Sequence, residues 1–293
     1  MKYDYQHLAA LASILRHGSF EAAAADLSVT QSAISQRVKA LEERVGTLLI
    51  TRGKPCVGTD AGRRLAAHAD HIAALDAHLA QDLGELSPAQ GARLRIAVNA
   101  DSLATWFIKP LAEVDGHLYD LHIDDQDFSV EQLRRGEVAA AVTSHGDAIA
   151  GCDSHYLGRL RYIATATPAF MAKHFPGGPI LDTLARAPML RFDEKDALQT
   201  HWLRAQFGQE LRPPFHSLSS SQGFVDGCLH GLGWGLNPEA LVRPHLDSGA
   251  LVPLLPDAPL ETPLYWQTAR LMRPALKRLT KAICQTAIKT LPQ

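Results

Sequence analysis

The sequence predicts an α/β chain: a small helical head, one long connecting helix, and a larger two-lobed body of alternating strands and helices. Three observations carry that prediction. Apolar residues recur at helical spacing through the first 45 positions, and a seven-residue repeat of large aliphatics follows Asp60. From Leu94 onward, short apolar runs alternate with amphipathic stretches, as in parallel sheets flanked by helices. The 293 residues suit about two domains with a small third unit. A charged fraction of 20% against 46% hydrophobic residues places the chain among ordered globular proteins rather than disordered ones.

Composition also narrows the function classes. No apolar run approaches the ~18 residues that span a bilayer, so no membrane partner is expected. Asp4, His7 and Arg16 interrupt the N-terminal stretch, which makes a poor secretory signal and points to the cytoplasm. Cys56, Cys152, Cys228 and Cys284 lie far apart without a CxxC pair, against both a disulfide framework and a zinc knuckle. The first 64 residues hold nine bases and six acids, and the remainder holds 20 bases and 25 acids. A basic head on an acidic body points to a polyanion at one end.

Leu8, Leu11, Ala12 and Leu15 mark the first helix, which Gly18 stops. Ser19 caps a second over Phe20–Leu27, where four successive alanines let a neighbour approach closely. After the turn at Ser28 and Val29, Thr30 caps a third helix from Gln31 to Val45, with Gly46 at its end. Ala33, Ile34, Val38, Leu41 and Val45 form its inward stripe, leaving Gln31, Ser32, Ser35, Gln36, Arg37 and Lys39 on the other sides. Two helices joined by a tight turn, the second polar and basic near its start, form the helix-turn-helix pattern. Glutamine and serine can bond base edges, while arginine and lysine reach guanine or phosphate. An ordinary solvated helix face has the same spacing, so both readings stand on spacing alone.

Leu48–Ile50 and the following Thr51-Arg52-Gly53-Lys54-Pro55 read as a short hairpin, or wing, that places Arg52 and Lys54 near phosphates. A long helix then runs from about Asp60 to Leu86. Its Leu65, Ile72, Leu79 and Leu86 lie seven apart, with Leu75 and Leu83 widening the stripe. Such a repeat favours pairing with a second helix, although packing within its own chain has the same signature.

The body opens with strand 94–98, helix 102–114, strand 118–123, helix 129–135 and strand 138–143, a βαβαβ start. A second lobe follows: strand 161–165, helix 169–174, strand 189–192, helices 197–207 and 222–230, and strand 232–236. Leu264-Tyr265-Trp266 and helix 274–291 return to the first lobe. The expected divisions are a head at 1–58, a linker helix at 59–90 and a body at 91–293. Lobe I of the body takes about 91–162 and 265–293, and lobe II about 163–264.

The stretches Phe20-Glu21-Ala22-Ala23-Ala24-Ala25-Asp26-Leu27 and Thr30–Glu42 resemble the winged helix-turn-helix of LysR-type transcriptional regulators. Thr51-Arg52 and Thr59-Asp60-Ala61-Gly62 are similar to that family's wing and linker start, and the likeness extends over the whole chain. It implies a periplasmic-binding-protein-like effector domain, a double-stranded operator as target, a homodimer or homotetramer, and contact with RNA polymerase. Residues 97–106 (Ala97-Val98-Asn99-Ala100-Asp101 through Trp106) and 133–138 (Leu133-Arg134-Arg135-Gly136-Glu137-Val138) resemble the ArgP/LysG branch. That branch implies a lysine or arginine effector and activation of basic amino-acid export.

Could the body hold such a cation? In open parallel sheets, ligands sit beyond the carboxyl ends of strands. Asn99, Asp101 and Ser102 follow the first strand, Asp125 the second, Thr143 the third, and Asp193 a strand of the other lobe, with Ser221 across the cleft. Carboxylates here can pair with an ammonium or a guanidinium. Plainer roles compete: Asp101 as a helix cap, Asp193 as a loop cap, Asp125 within a solvated run beside Asp124 and Asp127, and Trp106 as core. Trp234 and Asn237 are expected near the lobe II side of the cleft.

Gly231-Leu232-Gly233 enters a strand instead of leaving one, the wrong order for a dinucleotide loop, and no Walker or nucleophile-elbow sequence occurs. His68, His71 and His78 lack a carboxylate in metal-site spacing, so neither metal nor cofactor is expected. The sequence therefore reads as a DNA-binding regulator governed by a small effector. A solute-binding protein, a cytosolic enzyme and an architectural DNA binder are the rivals.

Overall fold

The computed structural model describes residues 3–82, 92–123 and 126–293, without the side chains of 81, 92 and 126–128. Three helices build the head: α1 (Tyr5–His17), α2 (Phe20–Asp26) and α3 (Gln31–Val45). Each starts at the residue its sequence dictates, with Asp4, Ser19 and Thr30 accepting backbone N–H bonds at the three N-caps. Gly18 ends α1 at φ +67°, and a Cβ there would meet Pro55, so both backbone conformation and space demand glycine. Leu8, Leu11 and Ile14 of α1 pack against Ala23 of α2 and Ile34, Val38 and Leu41 of α3, all buried. Buried Ser13 donates to Asp26 Oδ2 at 2.6 Å and pins α1 to α2.

Strands β1 (Ile50–Thr51) and β2 (Val57–Gly58) pair antiparallel as the expected hairpin. The chain then enters α4 (Asp60–Asp82). Gly62 lies so close to the Leu49 carbonyl that a Cβ would overlap it, which sets how tightly α4 follows the hairpin. The buried apolar residues of α4 are alanines, among them Ala66, Ala69 and Ala74, lying with buried Asp70 and His71 between α1 and the first strand of the body. Of the seven-residue repeat, Leu65 and Ile72 are half-buried against the head core, while Leu79 is 57% exposed. Leu83 and Leu86 lie outside the described residues.

The body begins with β3 (Ala92–Val98), α5 (Ala100–Thr105), α6 (Ile108–Ala112), β4 (His117–Ile123), α7 (Gln126–Arg134) and β5 (Ala140–Thr143). Strand β3 pairs in parallel with both β4 and β5, as the βαβαβ pattern requires. The single helix expected over 102–114 is divided into α5 and α6. Pro110 has no N–H to donate to a carbonyl of the turn behind it, and the break falls at Trp106 and Phe107, which are buried edge to face at 5.4 Å.

Next come β6 (Cys152–Ala166), α8 (Pro168–His174), α9 (Leu181–Leu184), β7 (Met189–Arg191), α10 (Leu198–Phe207), β8 (Phe215–Ser217), α11 (Ser221–Leu229), β9 (Gly235–Pro238), α12 (Glu239–Asp247), β10 (Val252–Pro253), β11 (Leu260–Ala269) and α13 (Arg273–Thr290). Strand β6 is much longer than the expected 161–165. Its first half is half-polar and reads as loop in isolation, but β11 pairs with it antiparallel from Cys152 to Tyr162. These two strands cross from one lobe to the other, with a register shift between Leu264 and Tyr265. Six strands follow the order β10-β6-β11-β5-β3-β4, with β9 also on β6, and β7 and β8 pair beside it. Trp234 and Asn237 lie entirely buried within lobe II rather than at the cleft: Trp234 packs on Trp202 at 5.7 Å, and Asn237 Nδ2 donates to Thr165 Oγ1 at 2.9 Å. Among the described residues no helix is long and apolar enough to cross a membrane.

Candidate DNA-binding surface and effector cleft

In the head, α3 turns one polar face outward. Gln31, Ser32, Gln36 and Lys39 are exposed, while Ser35 and Arg37 are half-buried. Arg37 Nη2 donates to Gln6 Oε1 of α1 at 2.9 Å, which braces its guanidinium. Lys39 Nζ lies 3.7 Å from Glu43 Oε1, one turn on. Thr30 is the N-cap, its Oγ1 accepting from the Ala33 amide at 3.1 Å, so its hydroxyl organises the helix start. Arg52, at the hairpin, lies 5.5 Å over the Phe20 ring centroid and is presented on the flank of α3's supporting helix. The arrangement offers amide and hydroxyl groups for base edges, with cations alongside for phosphate.

The second surface is a cleft of about 550 Å³ between the lobes, at the carboxyl ends of the strands. Asn99 and Asp101 line it from the end of β3, and Ser144 and His145 from the end of β5. Tyr162 lines it from β6, Phe192, Asp193 and residues 195–199 from the segment after β7, and Ser221 and Phe224 from α11. Leu236 and Pro238 of β9 close one wall.

Asp101 is the hub. Its Oδ1 accepts from Ser221 Oγ at 2.6 Å and its Oδ2 from Tyr162 OH at 2.9 Å, joining three elements across the cleft. The helix cap is Asn99, whose Oδ1 accepts from the Ser102 amide, so Asp101 is free of that duty. Burial pushes the Asp101 carboxyl up, and the Asp196 charge adds to the rise against the two hydroxyl donors. Burial likewise pushes Asp196 up, although its oxygens accept from the Phe192 and Leu198 amides. The Tyr162 phenol is raised by its own burial and by Asp101. Two desolvated carboxyls that repel one another favour a cation between them.

Of the other expected effector residues, Asp193 lines the cleft while its Oδ1 accepts from the Lys195 and Asp196 amides, so wall and loop cap are one residue. Ser221 lines it too, and Ser220 is the cap of α11. Ser102 and Thr143 are fully buried beneath the cleft and are not among its lining residues. Thr143 Oγ1 donates to the His145 carbonyl and accepts from Gln267 Nε2. Asp125 lies outside the described residues. Sequence reasoning missed Asp196 and Tyr162. The run Asp193-Glu194-Lys195-Asp196 carried a signal for the first, whereas nothing local marks a tyrosine in mid-strand. Among the described residues no group of three or more histidines, cysteines and acids could hold a metal ion.

A winged head, a connecting helix and a two-lobed body with a polar cleft together define a ligand-responsive DNA-binding regulator. Comparison with known proteins agrees: residues 5–63 match the bacterial regulatory helix-turn-helix model of the lysR family, and residues 91–287 match the LysR substrate binding domain. The chain belongs to the LysR family of transcriptional regulators. Within it, the chain is 41% identical over 297 residues to the HTH-type transcriptional regulator ArgP of Pseudomonas fluorescens (strain Pf0-1), covering 99% of this chain and 98% of that one. It is 39% identical to LysG of Mycobacterium tuberculosis (strain H37Rv) over 96% of this chain and 92% of the relative. The crystal structure of ArgP from Mycobacterium tuberculosis superposes with a TM-score of 0.83 at 38% identity, covering 100% of this chain and 99% of that chain. Full-length LysG from Corynebacterium glutamicum with bound effector Arg superposes at 0.69 with 37% identity, covering 99% and 100%.

Proposed function

We propose that this regulator responds to a basic amino acid, arginine or lysine, held in the interlobe cleft. Asp101 and Asp196 would face the cationic groups, and Asn99, Asp193 and Ser221 would complete the wall. Asp101 carries the reading. It is a desolvated carboxylate bonded to both lobes and facing a second acid, in a chain similar end to end to a LysG that binds arginine. Gln31, Ser32, Ser35, Gln36, Arg37, Lys39 and Arg52 would meet the operator, with Thr30 setting the helix start. The head is taken as 1–58, the linker as 59–90 and the body as 91–293. The protein acts in the cytoplasm as a homodimer or a dimer of dimers, works with RNA polymerase, and catalyses no reaction.

Calorimetry of the full-length protein with arginine, lysine, and citrulline as the uncharged near-isostere of arginine tests the cleft assignment. Arginine or lysine should bind at least tenfold more tightly than citrulline. Equal affinity for citrulline, or no heat from any of the three, overturns it.

A further inference from the structure

The connecting helix buries a charge that touches both halves of the molecule. Asp70, near the middle of α4, is 6% exposed. Its Oδ1 accepts from Arg16 Nη2 of α1, in the head, at 3.2 Å. Its Oδ2 lies 3.6 Å from Arg95 Nε of β3, in the body. The two arginines are anchored in turn: Arg16 Nη1 is 3.7 Å from Asp26 of α2, and Arg95 Nε donates to Asp120 of β4 at 3.2 Å. Burial pushes the Asp70 carboxyl up, and Arg95 and Arg16 draw it back down.

Packing alone does not call for this arrangement. The buried alanines already seat α4 against its neighbours, and a buried carboxylate adds less stability than an apolar residue of similar volume. The charge supplies direction instead. One carboxylate thus faces guanidinium groups from head and body together, hydrogen-bonded to Arg16 and in ion-pair range of Arg95. The body-side partner also sits on the strand that ends in the cleft: Asn99 and Asp101 follow Arg95 by four and six residues, and β3 is held between β4 and β5. A guest bound at Asn99 and Asp101 thus acts on the strand that carries Arg95. On the other side, Arg16 lies on α1, whose Gln6 accepts the hydrogen bond from Arg37 of α3.

We propose that Asp70 is a positioning residue that clamps the winged head to the effector body and passes occupancy of the cleft to α3 through Arg95 and Arg16. The transmission half rests on the cleft reading above; the clamp half does not. Two variants of the full-length chain separate clamp from fold: Asp70→Asn, and the milder Arg16→Met, at a site already 30% exposed. Spin labels at Ala25→Cys and Glu113→Cys, both exposed positions, report the head-to-body distance in a Cys284→Ser background, with labelled chains diluted into unlabelled ones. This readout needs neither ligand nor DNA.

The parent should give one narrow distance population. Both variants should broaden it, while Arg16→Lys, which keeps the cation, should restore it. Arginine affinity is then measured with and without a duplex that the parent selects from a random pool. The variants should bind arginine alone within about twofold of the parent, while the ratio of the two affinities falls to about one. A narrow, unchanged distance population in both variants overturns the clamp. A retained ratio, or a parent ratio of one, overturns the transmission. If the parent binds no arginine at all, the cleft reading and the transmission fall together and the distances still decide the clamp.

Discussion

Replacing Asp101 by asparagine removes one charge and little else. Asparagine keeps a carbonyl oxygen and adds an amide donor, and both partners, the Ser221 and Tyr162 hydroxyls, can accept as well as donate, so the cross-cleft bonds survive with one reversed. A guanidinium about 4 Å from a carboxylate is favoured by about 4 kcal/mol at an effective dielectric of about 20. Part of this offsets desolvation of the guest, and Asp196 still supplies a negative charge. The net loss expected is about 2–3 kcal/mol, or about 30- to 150-fold in the arginine dissociation constant. Calorimetry at pH 7.5 measures it directly. The same variant should melt at or above the parental temperature, because a desolvated charge has been replaced by a neutral group. Loss of binding with retained stability identifies a ligand contact. Arginine affinity within threefold of the parent would refute the assignment of Asp101 to the cation.

Two further outcomes concern the linking helix and the head. His71 is buried on α4 and its imidazole is pushed down to about 4, by burial first and then by His68 and Arg95. The folded form binds the proton less well than the unfolded chain, so stability is full above about pH 6.5 and is lost as pH falls towards 4, by at most about 3 kcal/mol. Denaturant titrations from pH 7 to pH 4 should show this slope, and His71→Gln should flatten it; an unaltered slope would assign the acid limb to other groups. Lys39 lies exposed on α3, so Lys39→Ala should lower the slope of log affinity against log salt by about one while leaving arginine binding alone. Fluorescence anisotropy over a salt series checks it, and an identical slope would place Lys39 off the phosphate backbone.

The head was legible because its signals are local. Ser19 and Thr30 cap, Gly18 and Gly46 terminate, and the Ile34, Val38 and Leu41 stripe is interpretable from periodicity alone. The polar face of α3 follows from the same spacing, since whatever the core does not take must point elsewhere. The cleft was half legible. Asn99, Asp101 and Asp193 follow strands whose apolar runs announce them, and a carboxylate after a strand end is a local pattern. Ser102 and Thr143 also fall near strand ends in the sequence, yet both lie under the cleft, Ser102 on α5 and Thr143 as the last residue of β5, because which way a side chain points there depends on how the chain turns, which residue order does not specify.

Residue order alone therefore determined the helical head, its hairpin, the βαβαβ opening of the body and the acidic character of the strand ends, all set by capping, periodicity and charge within a few neighbours. Tertiary structure alone decided the rest. It extended β6 through a polar stretch by pairing it with β11, more than a hundred residues away in places, and it brought Tyr162 and Ser221 to opposite oxygens of Asp101. It also set Asp70 between two arginines that are 79 residues apart in the chain. The physical reason is common to all three. Hydrogen bonds and ion pairs between distant residues depend on how sheets and helices stack, and that information resides in no short window of the chain.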